Sequence, residues 1–242
     1  MRRWVVIGAV FATLLVFETD ALWWRSIPLL SEHVLTHLPF ARASAALRMA
    51  AVLLLVWAIH GRPFSFCGLR ANPLVGLGFG FAASAPMWLP LALLAPLANR
   101  LDPVAVGFGA GYFPFAEELF HRAFAFGLLH RTARVPFWPA ALLAAVPFAL
   151  AHLHQAENLG AAVGTIAITF LGALLFSWLW KAWAWNLWVP FCMHAAMNLW
   201  WSVFDVGEGA FAGWMPTAMQ LGCAGLALAL TAIRQRRKRA VD

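Results

Sequence analysis

Long stretches without a single carboxylate, ammonium or guanidinium side chain constrain this chain more than any other feature. No Asp, Glu, Lys or Arg falls between Arg70 and Arg100, Arg134 and Glu157, Glu157 and Lys181, Lys181 and Asp205, or Glu208 and Arg234. Each stretch holds about 22 residues or more, and about 20 apolar residues in a helix cross the hydrocarbon of a bilayer. Less pure runs at about 4–24, 43–60 and 110–130 complete the set. The expected fold class is all-α: a polytopic membrane protein of about eight transmembrane helices, with residues 1–242 as a single integral-membrane domain. Composition agrees, because 63% of residues are apolar and 11% charged, whereas a soluble domain is roughly half apolar and a quarter charged. A water-soluble globule is excluded.

The formal net charge of +7 would suggest a nucleic-acid partner, but the positions of the charges argue against one. With the N-terminus inside, the inner loops and ends hold Arg2, Arg3, Arg62, Arg70, Arg131, Arg134, Lys181 and the five basic residues from Arg234 to Arg239. The outer loops hold only Arg25, Arg42 and Arg100, while Arg48 and Arg122 lie within helices. Glu32, Asp102, Glu157, Asp205 and Glu208 fall outside. Both termini are therefore expected in the cytoplasm. The basic tail reads as a stop resting on anionic headgroups; the bilayer is the expected partner, and nothing specifies an oligomeric state. Arg2-Arg3 before an apolar run resembles a signal peptide. No small-residue cleavage site follows and Glu18 and Asp20 come first, so the run reads as an uncleaved first helix.

Smaller signals are structural. Cys67, Cys192 and Cys223 are scattered and match neither a disulfide framework nor a metal pair. Gly76-x-x-x-Gly80, Gly107-x-x-x-Gly111 and Gly160-x-x-x-Gly164 permit close helix packing. Pro86, Pro90, Pro96, Pro147 and Pro190 are expected to bend helices and open space between them. Trp23-Trp24, Trp183, Trp185, Trp188 and Trp200-Trp201 fit interfacial anchoring. His33, His37 and His60 read as loop or interfacial residues, and Glu18 and Asp20 as lying near the outer headgroups.

Ionisable groups inside the membrane are costly, about 2.5–3.5 kcal/mol on insertion scales, and so mark function. The fourth helix carries Glu117-Glu118-Leu119-Phe120-His121-Arg122, the fifth Phe148-Ala149-Leu150-Ala151-His152 followed by His154, and the seventh His194-Ala195-Ala196-Met197-Asn198. Glu118 and Arg122 are four apart and can pair on one face. Glu117, rotated about 100°, is left for the bundle interior. His194 and Asn198 share a face. Helix directions put Glu117, His152, His194 and Asn198 in the same half of the bilayer, the outer one by the charge count. His121 and His154 either line this site or support it. A polar network that merely joins helices is the alternative.

A Glu beside a His can take a proton from water as general base, and two further donors can hold an oxyanion. Together these specify amide hydrolysis without a protein nucleophile. Gly-x-Ser-x-Gly, an intramembrane Asp pair and His-Glu-x-x-His are all absent, and Ser84, Ser177 and Ser202 lack an activating motif. No cofactor is required, although Glu117, His152 and His194 would also suit a zinc ion, three N/O ligands plus water being a usual catalytic set.

Glu-Glu-x-x-x-Arg, Phe-x-x-x-His and His-x-x-x-Asn, in that order on successive membrane helices over about residues 110–204, resemble the CAAX protease and bacteriocin-processing (CPBP, or Abi) family. That family includes the type II prenyl-protein endopeptidases. The resemblance implies a catalytic core at 110–204, an active site inside the bundle, and a glutamate-type intramembrane protease of a bacterial plasma membrane. Glu117 would activate water with His152 assisting, His194 and Asn198 would form the oxyanion hole, and Glu118 and Arg122 would support them. Ala123 stands where the family usually has Gly. The expected substrate is a membrane-anchored protein or lipidated peptide. The outer position of the site favours cleavage on the extracytoplasmic side, for example of C-terminal anchor helices. Two other classes remain open: a non-proteolytic immunity or scaffold protein of the same family, and a proton-coupled transporter, for which no second copy of the Glu or His motifs exists.

Overall fold

The computed structural model describes residues 3–19, 38–156, 158–205 and 214–240. Expectations for Arg2, Asp20, Trp23, Trp24, Arg25, Glu32, His33, His37, Glu157 and Glu208 lie outside the described residues. The described chain is helical, in the order α1 (Arg3–Glu18), α2 (Leu38–His60), α3 (Pro63–Phe66), α4 (Pro73–Ala83), α5 (Ala85–Leu94), α6 (103–132), α7 (Phe137–Ala151), α8 (Leu159–Ala182), α9 (Trp188–Val203) and α10 (Trp214–Arg239). No strand forms among the described residues. A single antiparallel bridge, Leu97 to Phe204, ties the chain after α5 to the end of α9.

The chain is an integral membrane protein. Four helical segments are long and apolar enough to cross a bilayer: Ala41–His60, Phe137–Gln155, Leu159–Ala182 and Trp214–Arg239. The pair α4–α5, bent by 54°, makes a fifth when taken as one broken span. The remaining expected spans are helical but do not meet that standard. Helices α1 and α9 have 16 residues each, and α6 carries the charged motif.

Local chemistry explains the boundaries. Asn72 caps α4 by accepting the Leu74 N–H at 2.9 Å, with Pro73 in the first turn. Asp102 caps α6 in the same way through Val104 N–H at 2.8 Å, with Pro103 following, so this charge has a definite structural task. The α4–α5 break falls at Ser84. Its buried hydroxyl donates to Phe81 O at 3.2 Å and accepts Trp200 Nε1–H at 3.0 Å, with Pro86 just beyond. This Ser is a joint between helices. Pro90 and Pro147 lie inside α5 and α7. Pro190 instead sits in the first turn of α9, where a proline costs little, and Pro96 lies beyond the end of α5.

Helix α6 is not a plain α-helix. π-helical turns occupy Gly107–Tyr112, Glu118–Phe126 and Leu128–Thr132, separated by α-turns. Such widened turns are rare and concentrate at functional sites. Helix α9 packs along α4, where an added Cβ at Gly76 would meet Trp188 O at 2.4 Å and one at Gly80 would meet the Cys192 backbone at 2.5 Å. The other two Gly pairs make no such approach. Gly107, Gly111 and Gly164 face nothing within 4 Å among the described residues.

Candidate active site

The site is built on the junction where α6 changes from α to π turns. Glu117 closes the α segment Phe113–Glu117, and Glu118 opens the π segment. The two carboxylates therefore leave the helix in different directions. Glu118 is fully buried, whereas the Glu117 side chain keeps 31% of its surface exposed toward a cavity.

Behind the cavity wall runs a chain of paired groups. Arg122 Nε lies 3.1 Å from Glu118 Oε2. Glu118 Oε1 accepts a hydrogen bond from His194 Nδ1 at 2.9 Å. His194 Nε2 then faces Glu117 Oε2 at 3.8 Å. The Arg122 guanidinium is fully buried, with its Cζ 4.4 Å from the Phe148 ring centroid and 5.4 Å from that of Phe176. A buried cation is tolerable only when charge and π faces replace water. The hydrogen bond to the Glu118 carboxylate keeps a proton on Nδ1 and fixes the orientation of the ring.

His152 opens a short 3-10 turn that continues α7. It donates Nδ1–H to the Phe148 carbonyl at 2.7 Å, leaving Nε2 as its other polar atom. Asn198, one turn beyond His194, donates Nδ2–H to Gly109 O at 3.0 Å. An amide carries two such hydrogens, so one remains. Gly109 lies in the first π segment of α6.

Glu117, His152, His194 and Asn198 all line one cavity of about 1220 Å³, and Glu118 and Arg122 stand behind it. His121 lines it too, with Nε2 3.5 Å from Glu18 Oε1. Glu18 is thus turned toward α6, with 14% of its side chain exposed. His154 lies at the rim and donates to Ala151 O at 2.7 Å. The cavity is lined by Asn99, Gln155 and Asp205 at the end of the bundle opposite Arg131, Arg134 and Lys181. Apolar groups including Phe176, Met193, Met197 and Trp201 make much of its wall.

Sequence reasoning named these residues but missed three contacts. The Glu118–His194 bond joins different helices and leaves no mark in local spacing. The π faces over Arg122 had one trace, Phe148 in its own motif. The Gly109 carbonyl had none. Among the described residues no three His, Cys, Asp or Glu are grouped so that they could hold a metal ion. His194 Nδ1 is committed to Glu118 and His152 Nδ1 to Phe148.

Fold and site together define a class: an all-helical membrane protein with carboxylate and imidazole groups lining one cavity. The family model described as "Type II CAAX prenyl endopeptidase Rce1-like" matches residues 81–200, and the chain belongs to this CAAX protease family. No curated protein matches the chain. The matched region contains all three polar motifs.

Proposed function

We propose that the protein is a glutamate-type intramembrane endopeptidase that hydrolyses a peptide bond in a membrane-anchored protein. The observation that carries this reading is the convergence of Glu117, His152, His194 and Asn198 on one cavity, with Glu118 and Arg122 behind them. Glu117 takes a proton from water while His152 holds that water, and the hydroxide adds to the scissile carbonyl. The oxyanion is received by Asn198 Nδ2–H and His194 Nε2–H. Since Nδ1 already donates to Glu118, His194 works in this step as imidazolium. Glu117 then passes its proton to the leaving amine as the C–N bond breaks, so protons balance without a covalent intermediate. No step is routed through a metal.

The cavity exceeds the roughly 300–1,000 Å³ of small-molecule sites, which favours a polypeptide segment with an apolar anchor. We read the bundle as eight crossings, with α1, α6 and α9 completing the five apolar spans, and both termini cytoplasmic under the positive-inside rule. The cavity then faces the extracytoplasmic half, and the substrate is a membrane-anchored or lipidated protein cut near that surface, C-terminal anchor helices among the candidates. In this reading 110–204 is the catalytic core.

The test compares protein termini by mass spectrometry in membranes from cells carrying wild type or Glu117→Gln at equal abundance. A terminus present only with wild type supports the reading and reports substrate, bond and side. Purified enzyme should then lose about 10²–10⁴-fold in kcat on Glu117→Gln and keep its rate in a chelator. Loss with chelator restored by zinc would overturn the metal-free mechanism. Unchanged termini across growth conditions would favour the immunity or scaffold role.

A further inference from the structure

At the end of the bundle opposite the cavity, the turn at 133–136 and Trp185 border a second, open pocket of about 420 Å³, lined by His130, Arg131, Arg134, Val135, Pro136 and Trp185. We propose that this pocket binds the phosphate group of an anionic phospholipid.

Three observations carry it. The first is uncompensated charge. None of the ion pairs among the described residues reaches Arg131 or Arg134, and the sequence holds no Asp or Glu between Glu118 and Glu157. The second is preorganisation. Arg131 donates to the Phe66 carbonyl and its Cζ sits 4.4 Å from the Phe66 ring centroid, 4.6 Å from that of Trp185 and 5.5 Å from that of Trp180. This clamp uses one of the five guanidinium donors and leaves the others. His130 is fixed by donating Nδ1–H to Val135 O at 2.9 Å and by stacking on Phe126. Arg134 is exposed and takes φ 58°, and Ala184 and Trp185 across the pocket take 56° and 62°. Left-handed backbone is unfavourable for all three residue types, yet together these turns shape one basic concavity.

The third observation selects the source of the phosphate. The span Phe137–Gln155 begins, and the span Leu159–Ala182 ends, beside the pocket. The exposed Trp138 and the Lys181 ammonium, 5.3 Å from the Phe137 ring centroid, mark the same level. That is headgroup depth, where basic pockets between helices recognise anionic lipids. The inference is independent of proteolysis.

The test uses the full-length protein in mixed micelles, with phosphatidylglycerol, phosphatidylcholine or inorganic phosphate as probes, read by native mass spectrometry and by melting temperature. Arg134→Gly removes the cation while suiting the left-handed backbone, so it should fold. Arg134→Glu reverses the charge, and Arg239→Glu in the basic tail controls for general electrostatics. Wild type should retain phosphatidylglycerol and not phosphatidylcholine. Arg134→Gly should weaken retention about fivefold and Arg134→Glu further, each with its own unliganded melting temperature as reference. Equal retention of both lipids, equal loss in Arg239→Glu, or no loss in the Arg134 variants overturns the proposal. A stabilising shift with inorganic phosphate and none with phosphatidylglycerol overturns the lipid assignment.

Discussion

Arg122 has no exposed surface, and its guanidinium is balanced by Glu118 and two phenyl faces. Removing one partner of such a buried pair leaves an uncompensated charge, whereas replacing both with apolar groups can be neutral. Glu118→Gln is therefore expected to destabilise by about 3–5 kcal/mol in thermal or denaturant unfolding. Replacing both, as Glu118→Leu with Arg122→Met, should regain much of this loss. If Glu118 also orients His194 through the 2.9 Å bond, the double variant stays poorly active although stable. Full activity would reduce Glu118 to charge balance alone. Asn198→Ala should lower kcat by about 10²–10³-fold with KM little changed, as for other oxyanion donors. Cys67, outside the spans, is fully buried and its thiol is pushed up to about 12 by burial. The thiolate is the reactive form, so a maleimide at about pH 8 should label Cys67 only after denaturation.

At the scale of elements, close approach and helix type matter most. Gly76→Ala and Gly80→Ala place a methyl 2.4–2.5 Å from the α9 backbone, which must move α4 and α9 apart. Each should cost about 1–3 kcal/mol, as overpacked cores do, while Gly164→Ala should be neutral or stabilising because Ala favours helix. Thermal unfolding of the three variants compares them directly. The sequence displays three equivalent Gly pairs; only the packing partner distinguishes them. The π turns of α6 were likewise illegible, because apolar periodicity over a few turns cannot separate 3.6 residues per turn from a wider helix. The pairing of Glu118 with Arg122 was legible because i and i+4 remain neighbours either way.

For the whole molecule, the cavity and the uncompensated basic end lie at opposite ends of the helices, so one orientation experiment bears on both. The native cysteines are all buried and should stay silent to an impermeant maleimide. Leu101→Cys and Ala184→Cys place exposed thiols at the two ends. In intact cells Leu101→Cys should be labelled from outside and Ala184→Cys only after the membrane is opened. The reverse pattern would turn the cavity to the cytoplasm and remove the case for an extracytoplasmic substrate.

By itself the sequence determined the solvent, the helical class and the polar residues worth watching, because a bilayer excludes isolated charge and backbone without internal hydrogen bonds. It also yielded the three motifs that the family match contains. Tertiary structure alone decided which motif residues meet. The His194–Glu118 bond links positions separated by 76 residues, and the Asn198–Gly109 bond links positions separated by 89. Such contacts depend on how helices cross and rotate about one another, set by side-chain packing across the whole bundle rather than by the spacing within any one segment.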